Sequence, residues 1–235
     1  VPYLVHGVSR KLQTTPATDL DVETVRHGPL VALVSPTPDE EALPTRANLL
    51  QHTRALERVG EHATVVPMRF GVVVPDLDTL ANDYLAPQRE QLLATLDRLD
   101  GHVELRLRGH YDEAKVIAGI LRQDPRAAHL HGRTETDAKI ELGERIVAGI
   151  DARRGADRHH ARAALAPYPA AVVDSGTTET LDAFSLSFLV GRTAREPFDR
   201  AVDALGEELA PVIGLELVGP VPPFSFVTEE ADAWA

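Results

Sequence analysis

Val103-Glu104-Leu105-Arg106-Leu107-Arg108 alternates apolar and charged residues without a break, the period-two pattern of a strand with one buried face and one wet face. Helical spacing follows over 136–166, with Leu142, Ile146 and Ile150 on one side and Gly143 and Gly149 weakening it slightly. Ala171-Val172-Val173 reads as a short strand. Phe184, Leu186, Phe188 and Val190 then alternate with Ser185, Ser187 and Leu189 as another half-buried strand. A second helix over 196–210 starts at Glu196-Pro197, where proline suits the first turn, and is lined by Phe198, Val202, Leu205 and Leu209. Leu215-Glu216-Leu217-Val218 closes the pattern. The order is β-α-β-β-α-β, the ferredoxin-like arrangement of an antiparallel sheet with two helices on one face.

Working outward, Asp100-Gly101 marks a boundary, which predicts an N-terminal α+β domain over 1–100, a C-terminal domain over 101–218 and a tail over 219–235. In the first half, Tyr3-Leu4-Val5-His6-Gly7-Val8 and Leu30-Val31-Ala32-Leu33-Val34 read as buried strands. Polar residues around Thr14, Thr15, Pro16 and Asp19 read as a loop. A helix is predicted over 45–60, capped by Thr45 and stopped by Gly60, with Leu49, Thr53, Leu56 and Val59 on its inner face. Val65 to Val74 is β-rich, and Pro67 within it predicts an edge or a bulge, because proline cannot donate to a ladder. A further helix, capped by Asp76, carries Leu77, Leu80, Tyr84 and Leu85 and kinks or restarts at Pro87 before Leu92, Leu96 and Leu99. The first half thus reads as a ferredoxin-like domain with an extra hairpin.

The 235 residues are 43% hydrophobic and 26% charged, so the chain can build a core. Its formal charge of −12 with scattered Lys and Arg argues against nucleic acid or an anionic membrane as partner. There is no cysteine, which excludes disulfides, thiolate nucleophiles and thiolate metal sites. No apolar run has the length of a membrane span and no basic-then-apolar leader opens the sequence, so the expectation is a soluble, intracellular protein. Phosphate loops, dinucleotide fingerprints, nucleophile elbows and zinc helices are missing. No catalytic residue and no cofactor is assigned.

Ten histidines raise a metal site. His129-Leu130-His131 falls in a predicted loop, and the adjacent His159 and His160 beside Asp157 diverge on a helix, so surface histidines explain them better. Asp174-Ser175-Gly176-Thr177-Thr178 reads as a turn between strands. Arg69, enclosed by Val65, Val66, Pro67, Met68 and Phe70, is expected to bury its guanidinium against Glu57 or Glu104. In Gly219-Pro220-Val221-Pro222-Pro223-Phe224-Ser225-Phe226-Val227 the prolines favour an extended polyproline strip with apolar faces. Such a strip packs back on the fold or docks on a partner, and packing back is favoured.

These two segments carry a resemblance. Val65-Val66-Pro67-Met68-Arg69-Phe70-Gly71 resembles a V-L-P-M-R-F-G motif, and the segment 219–227 a G-P-W-P-P-Y-S-F-V motif, of the gas vesicle protein F/L family. The F branch is favoured over L. Tyr3 to Val8, Ala32 to Ser35, His52 with Leu56-Glu57, Lys139 to Gly143 and Phe188 to Val190 match in order between them. Val66, Val221 and Phe224 depart from the family's leucine, tryptophan and tyrosine, which keeps apolar character but removes an indole N–H and a phenol hydroxyl. The resemblance implies two α+β domains, the first ferredoxin-like. It also implies a non-enzymatic role in gas vesicle assembly, in the cytoplasm and at the vesicle, with the shell protein (gas vesicle protein A) and other accessory proteins as partners. Pro67, Met68, Arg69, Phe70, Gly71, Gly219, Pro220, Pro222, Pro223, Phe224 and Phe226 are the candidate structural or docking residues. The expected docking surface is the uncovered face of the N-terminal sheet or its edge from Pro67 to Val74. A small-ligand sensor, or a metal-dependent hydrolase built on His129 and His131, are the competing readings.

Overall fold

The computed structural model describes residues 1–10, 22–37, 44–177 and 179–227. The chain forms two compact units: Val1–Glu104 together with the stretch that starts at Pro220, and Leu105–Gly219. The fold is α+β, each unit built on its own sheet.

In the first unit, β1 (Tyr3–Arg10) pairs antiparallel with β3 (Leu30–Pro36), and β3 with β2 (Glu23–His27). The β2–β3 hairpin turns on Gly28 and Pro29, with Gly28 at φ +60°, a conformation that glycine reaches without strain. On its other side β1 pairs with β4 (Val65–Pro67) and β5 (Val73–Val74), so the sheet order is β2-β3-β1-β4. Pro67 ends an edge strand, as its missing N–H demands. β2 was not legible beforehand: it is short and half-exposed, with no clean alternation.

Successive residues of β1 from Leu4 to Ser9, and of β3 from Leu30 to Ser35, are buried. Side chains alternate across a sheet, so both faces of its centre are covered. This corrects the expectation of an uncovered N-terminal sheet face.

Helix α1 (Arg46–Gly60) is capped by Thr45, whose side chain accepts from the Asn48 N–H, and buries His52, Ala55, Leu56 and Val59. The inner face is rotated from the predicted one, and Leu49 is 41% exposed. Asp76 caps α2 (Leu77–Thr79), which runs into a π-helical turn (Leu80–Leu85) before α3 (Arg89–Leu99). The break falls around Pro87, whose ring and missing N–H interrupt the ladder.

The second unit runs β6 (His102–Tyr111), α4 (Glu113–Gln123), α5 (Pro125–Leu130), α6 (Thr136–Leu165), β7 (Pro169–Asp174), β8 (Asp182–Gly191), α7 (Arg195–Leu209) and β9 (Ile213–Val221), with sheet order β7-β8-β6-β9. α5 replaces the loop expected around His129: Pro125 occupies the first turn and Asp124 accepts from the Arg126 and Ala127 N–H groups. Arg126 and Arg145 bind Glu141, and Arg145 also reaches Asp124 at 3.0 Å, tying α5 to α6. In β6, Gly109 lies against Phe184, and a Cβ there would sit 2.7 Å from the ring. Among the described residues no helix is long and apolar enough to cross a membrane.

Candidate docking surface

The β1 ladder carries a bulge: Val5 faces Val34 and Gly7 faces Leu33, leaving His6 as the extra residue. A bulge re-aims its side chain, and His6 meets His52 of α1, Nδ1 to Nδ1, at 2.9 Å. Gly7 lets the helix approach, since a Cβ there would fall 2.8 Å from both the Leu56 Cδ2 and the Val66 carbonyl oxygen. The other His6 nitrogen, Nε2, lies 2.9 Å from Ser35 Oγ on β3, and His52 Nε2 lies 3.0 Å from the Met68 carbonyl.

One proton order satisfies this chain with both rings neutral. A carbonyl only accepts, so His52 Nε2–H donates to Met68 and His52 Nδ1 must accept. His6 Nδ1–H therefore donates to His52, and His6 Nε2 accepts from the Ser35 hydroxyl. His6 is fully buried and His52 is 3% exposed. Burial first, then the neighbouring His52, push His6 down to about 3; burial likewise lowers His52, against the opposing hydrogen bond to Met68.

Beyond Pro67 the chain leaves the ladder and returns. Met68 N–H donates to the His6 carbonyl at 2.9 Å, and Val5 N–H to the Val72 carbonyl at 2.8 Å. Between these anchors Arg69, Phe70 and Gly71 form an outward turn, with Gly71 at φ +102°. Phe70 meets the His52 ring edge-on at 5.6 Å, and Phe224 stacks on it at 6.3 Å. Phe224 also packs against the cluster of Leu33, Leu56, Val59 and Val65.

The C-terminal stretch is fastened behind Phe224. The buried Glu104 carboxylate accepts from the Ser225 backbone N–H at 3.0 Å and its hydroxyl at 2.8 Å. Arg98 donates to the Phe226 carbonyl at 3.1 Å, and Phe226 and Val227 are buried. The stretch therefore packs back, but a 3-10 turn over Phe224–Phe226 replaces the expected polyproline strip.

Of the candidate residues, Pro67, Met68, Pro222 and Phe226 are buried; Phe70, Pro223 and Phe224 are half-buried; Gly71, Gly219 and Pro220 are exposed. Arg69 is exposed too, which corrects its expected burial: the turn at Phe70 and Gly71 carries it out of the apolar run. Glu104, offered as its partner, instead holds Ser225. Ser35 and the two buried histidines were not assigned beforehand. The available signal was a histidine inside an apolar strand and another on the buried face of α1, four residues before Leu56.

His52 is flanked by two aromatic rings, the half-buried Phe70 and Phe224, with the exposed Arg69 next to one of them in the chain. Exposed Leu49 lies one helical turn away, beside Leu50 at 44% exposure. In the second unit, an open groove of about 670 Å³ between α4 and α6 is lined by Ile120, Gly149, Ala152 and two Arg–Asp pairs, Arg145–Asp124 and Arg153–Asp157. Its charges are spent on one another, and Tyr111 adds a hydrogen bond to Asp157 at 2.7 Å. Among the described residues the one cluster with metal-ligand spacing is His110, Glu179 and Asp182; His129, His131, His159 and His160 do not join it.

Comparison with known proteins adds a family. The family model for "Gas vesicle synthesis protein GvpL/GvpF" matches residues 6–228. Gas vesicle protein F of Streptomyces sp. (strain CB03234) is 33% identical over 215 residues, spanning 88% of this chain and 87% of that protein. The crystal structure of the gas vesicle protein GvpF from Anabaena sp. PCC7120 superposes with a TM-score of 0.80 at 19% identity, covering 96% of this chain and 95% of that one. GvpF from Microcystis aeruginosa gives 0.77 at 19% identity, covering 97% and 99%.

Proposed function

Because the chain belongs to the GvpL/GvpF family of gas vesicle synthesis proteins, we propose that it binds the hydrophobic shell protein, gas vesicle protein A, and delivers it to the growing vesicle without chemical turnover. A subunit that lines a gas phase must carry a water-excluding face and aggregates unless that face is covered. A binder with a net charge of −12 keeps the complexes apart in solution. The role is exercised in the cytoplasm and at the vesicle, alongside other gas vesicle accessory proteins. We read both units as variants of the ferredoxin-like plan, the second with α4 and α5 added before its long helix.

The observation that carries the reading is the pair of aromatic rings around His52. Phe70 and Phe224 set half-buried rings against His52, Phe70 in the turn between β4 and β5, and Leu49 and Leu50 are exposed on the helix that carries His52. Aromatic anchors beside an open sheet edge suit an apolar segment, which can add as a strand or lay a side chain between the rings. Co-expression of the full chain with the shell protein tests this. Leu49→Glu with Leu50→Glu is expected to reduce co-purification at least tenfold, about 1.4 kcal/mol of binding. Ile140→Glu with Val147→Glu, at exposed apolar positions of the second unit, is expected to leave it unchanged. Loss with the second pair alone would relocate the surface.

A further inference from the structure

We propose that the His6–His52 pair is an acid-operated clasp: while both rings are neutral their hydrogen-bonded chain holds the turn after Pro67 and the Phe224 segment against α1, and a proton taken up by His52 releases both. All four ring nitrogens are engaged. Ser35, His6, His52 and the Met68 carbonyl form a run of three hydrogen bonds of 2.9–3.0 Å, linking β3, β1, α1 and the residue after β4. The groups that face the rings are Ser35 from β3, the Met68 carbonyl and Phe70 from the turn, and Phe224 from the C-terminal stretch. None is a carboxylate, and the one charge that bears on His6 is that of His52 itself.

A cation formed here is buried with no carboxylate against it among the described residues, which is costly. The cheapest relief is local. His52 is covered by Phe70 and Phe224, both half-buried, and the turn that carries Phe70 already exposes Arg69 and Gly71. Parting those two rings brings the imidazole to water, where it regains its ordinary affinity for protons. Each pH unit below about 6.5 then favours the open form by about tenfold for one released imidazole. The elements released are those proposed above to dock the shell protein, but the clasp does not depend on that assignment and its test uses no partner.

Hydrogen exchange of the full chain, read by mass spectrometry with labelling times scaled for intrinsic rates, measures the opening directly. Between pH 7.5 and 4.5 the opening constant of peptides covering 65–74 and 222–227 is expected to rise roughly 100-fold, while β8 of the second unit stays protected. His52→Gln keeps a donor for Met68 and an acceptor for His6 but cannot titrate, and is expected to abolish that rise. An equal acid response in both units, or an unchanged pH slope in His52→Gln, would each overturn the clasp.

Discussion

Removing the Glu104 carboxylate takes away an acceptor from both the Ser225 backbone N–H and its hydroxyl. Glu104→Ala is expected to destabilise the first unit by about 2–3 kcal/mol, read as a shift in urea midpoint; Glu104→Gln, which keeps an acceptor oxygen, should recover part of it. The alternation of residues 103–108 gives no hint of this. It reads Glu104 as the wet position of a strand, whereas the residue is fully buried, because the stretch after Pro220 returns to cover it. Arg69 failed in the opposite sense: its apolar neighbours suggested burial, and a turn carried it outside. Local pattern reports which face a side chain takes, not what arrives later in the chain to cover that face. His6 shows the same limit, since a bulge shifts the period by one residue and hides its direction.

At the level of elements, what was legible is what repeats. The β-α-β-β-α-β order, the capped α1 and the long α6 followed from periodicity and caps, and the break at Pro87 from covalent geometry. Missed were the elements too short to show a period: β2, α5, the π-helical turn and the 3-10 turn over Phe224–Phe226. The last matters most. Three prolines gave the stretch an extended bias, but burial of Phe226 and Val227 and the Glu104 contacts override it. Ending the chain after Gly219 removes those side chains, each contributing about 1.5–3 kcal/mol of burial. Such a truncation should lower the melting transition of the first unit and leave that of the second, followed by exchange in β8, within a degree or two of its position (about 0.5 kcal/mol).

Across the whole molecule the two units answer acid at different points. In the first, folding lowers the affinity of His6 and His52 for protons, so the folded state binds fewer protons than the unfolded chain. Its stability is complete above about 6.5 and is lost as pH falls toward 3. In the second, the guanidinium groups of Arg133 and Arg126 hold Glu135 and Glu141 down at about 2. Their contribution is present above the ordinary carboxylate range and fades only as pH falls toward 2. An acid titration followed by exchange is therefore expected to unfold the first unit at higher pH than the second; simultaneous loss would remove the buried histidines as the cause.

The first unit is assembled from both ends of the polypeptide, with the second inserted between them. On the ribosome, residues 105–219 emerge and can fold while Glu104 still waits for Ser225. The aromatic surface over His52 is therefore incomplete until Phe224 has been made, after the whole of the second unit. A product stopped anywhere within the second unit carries His52 and Phe70 but lacks the ring that stacks on His52.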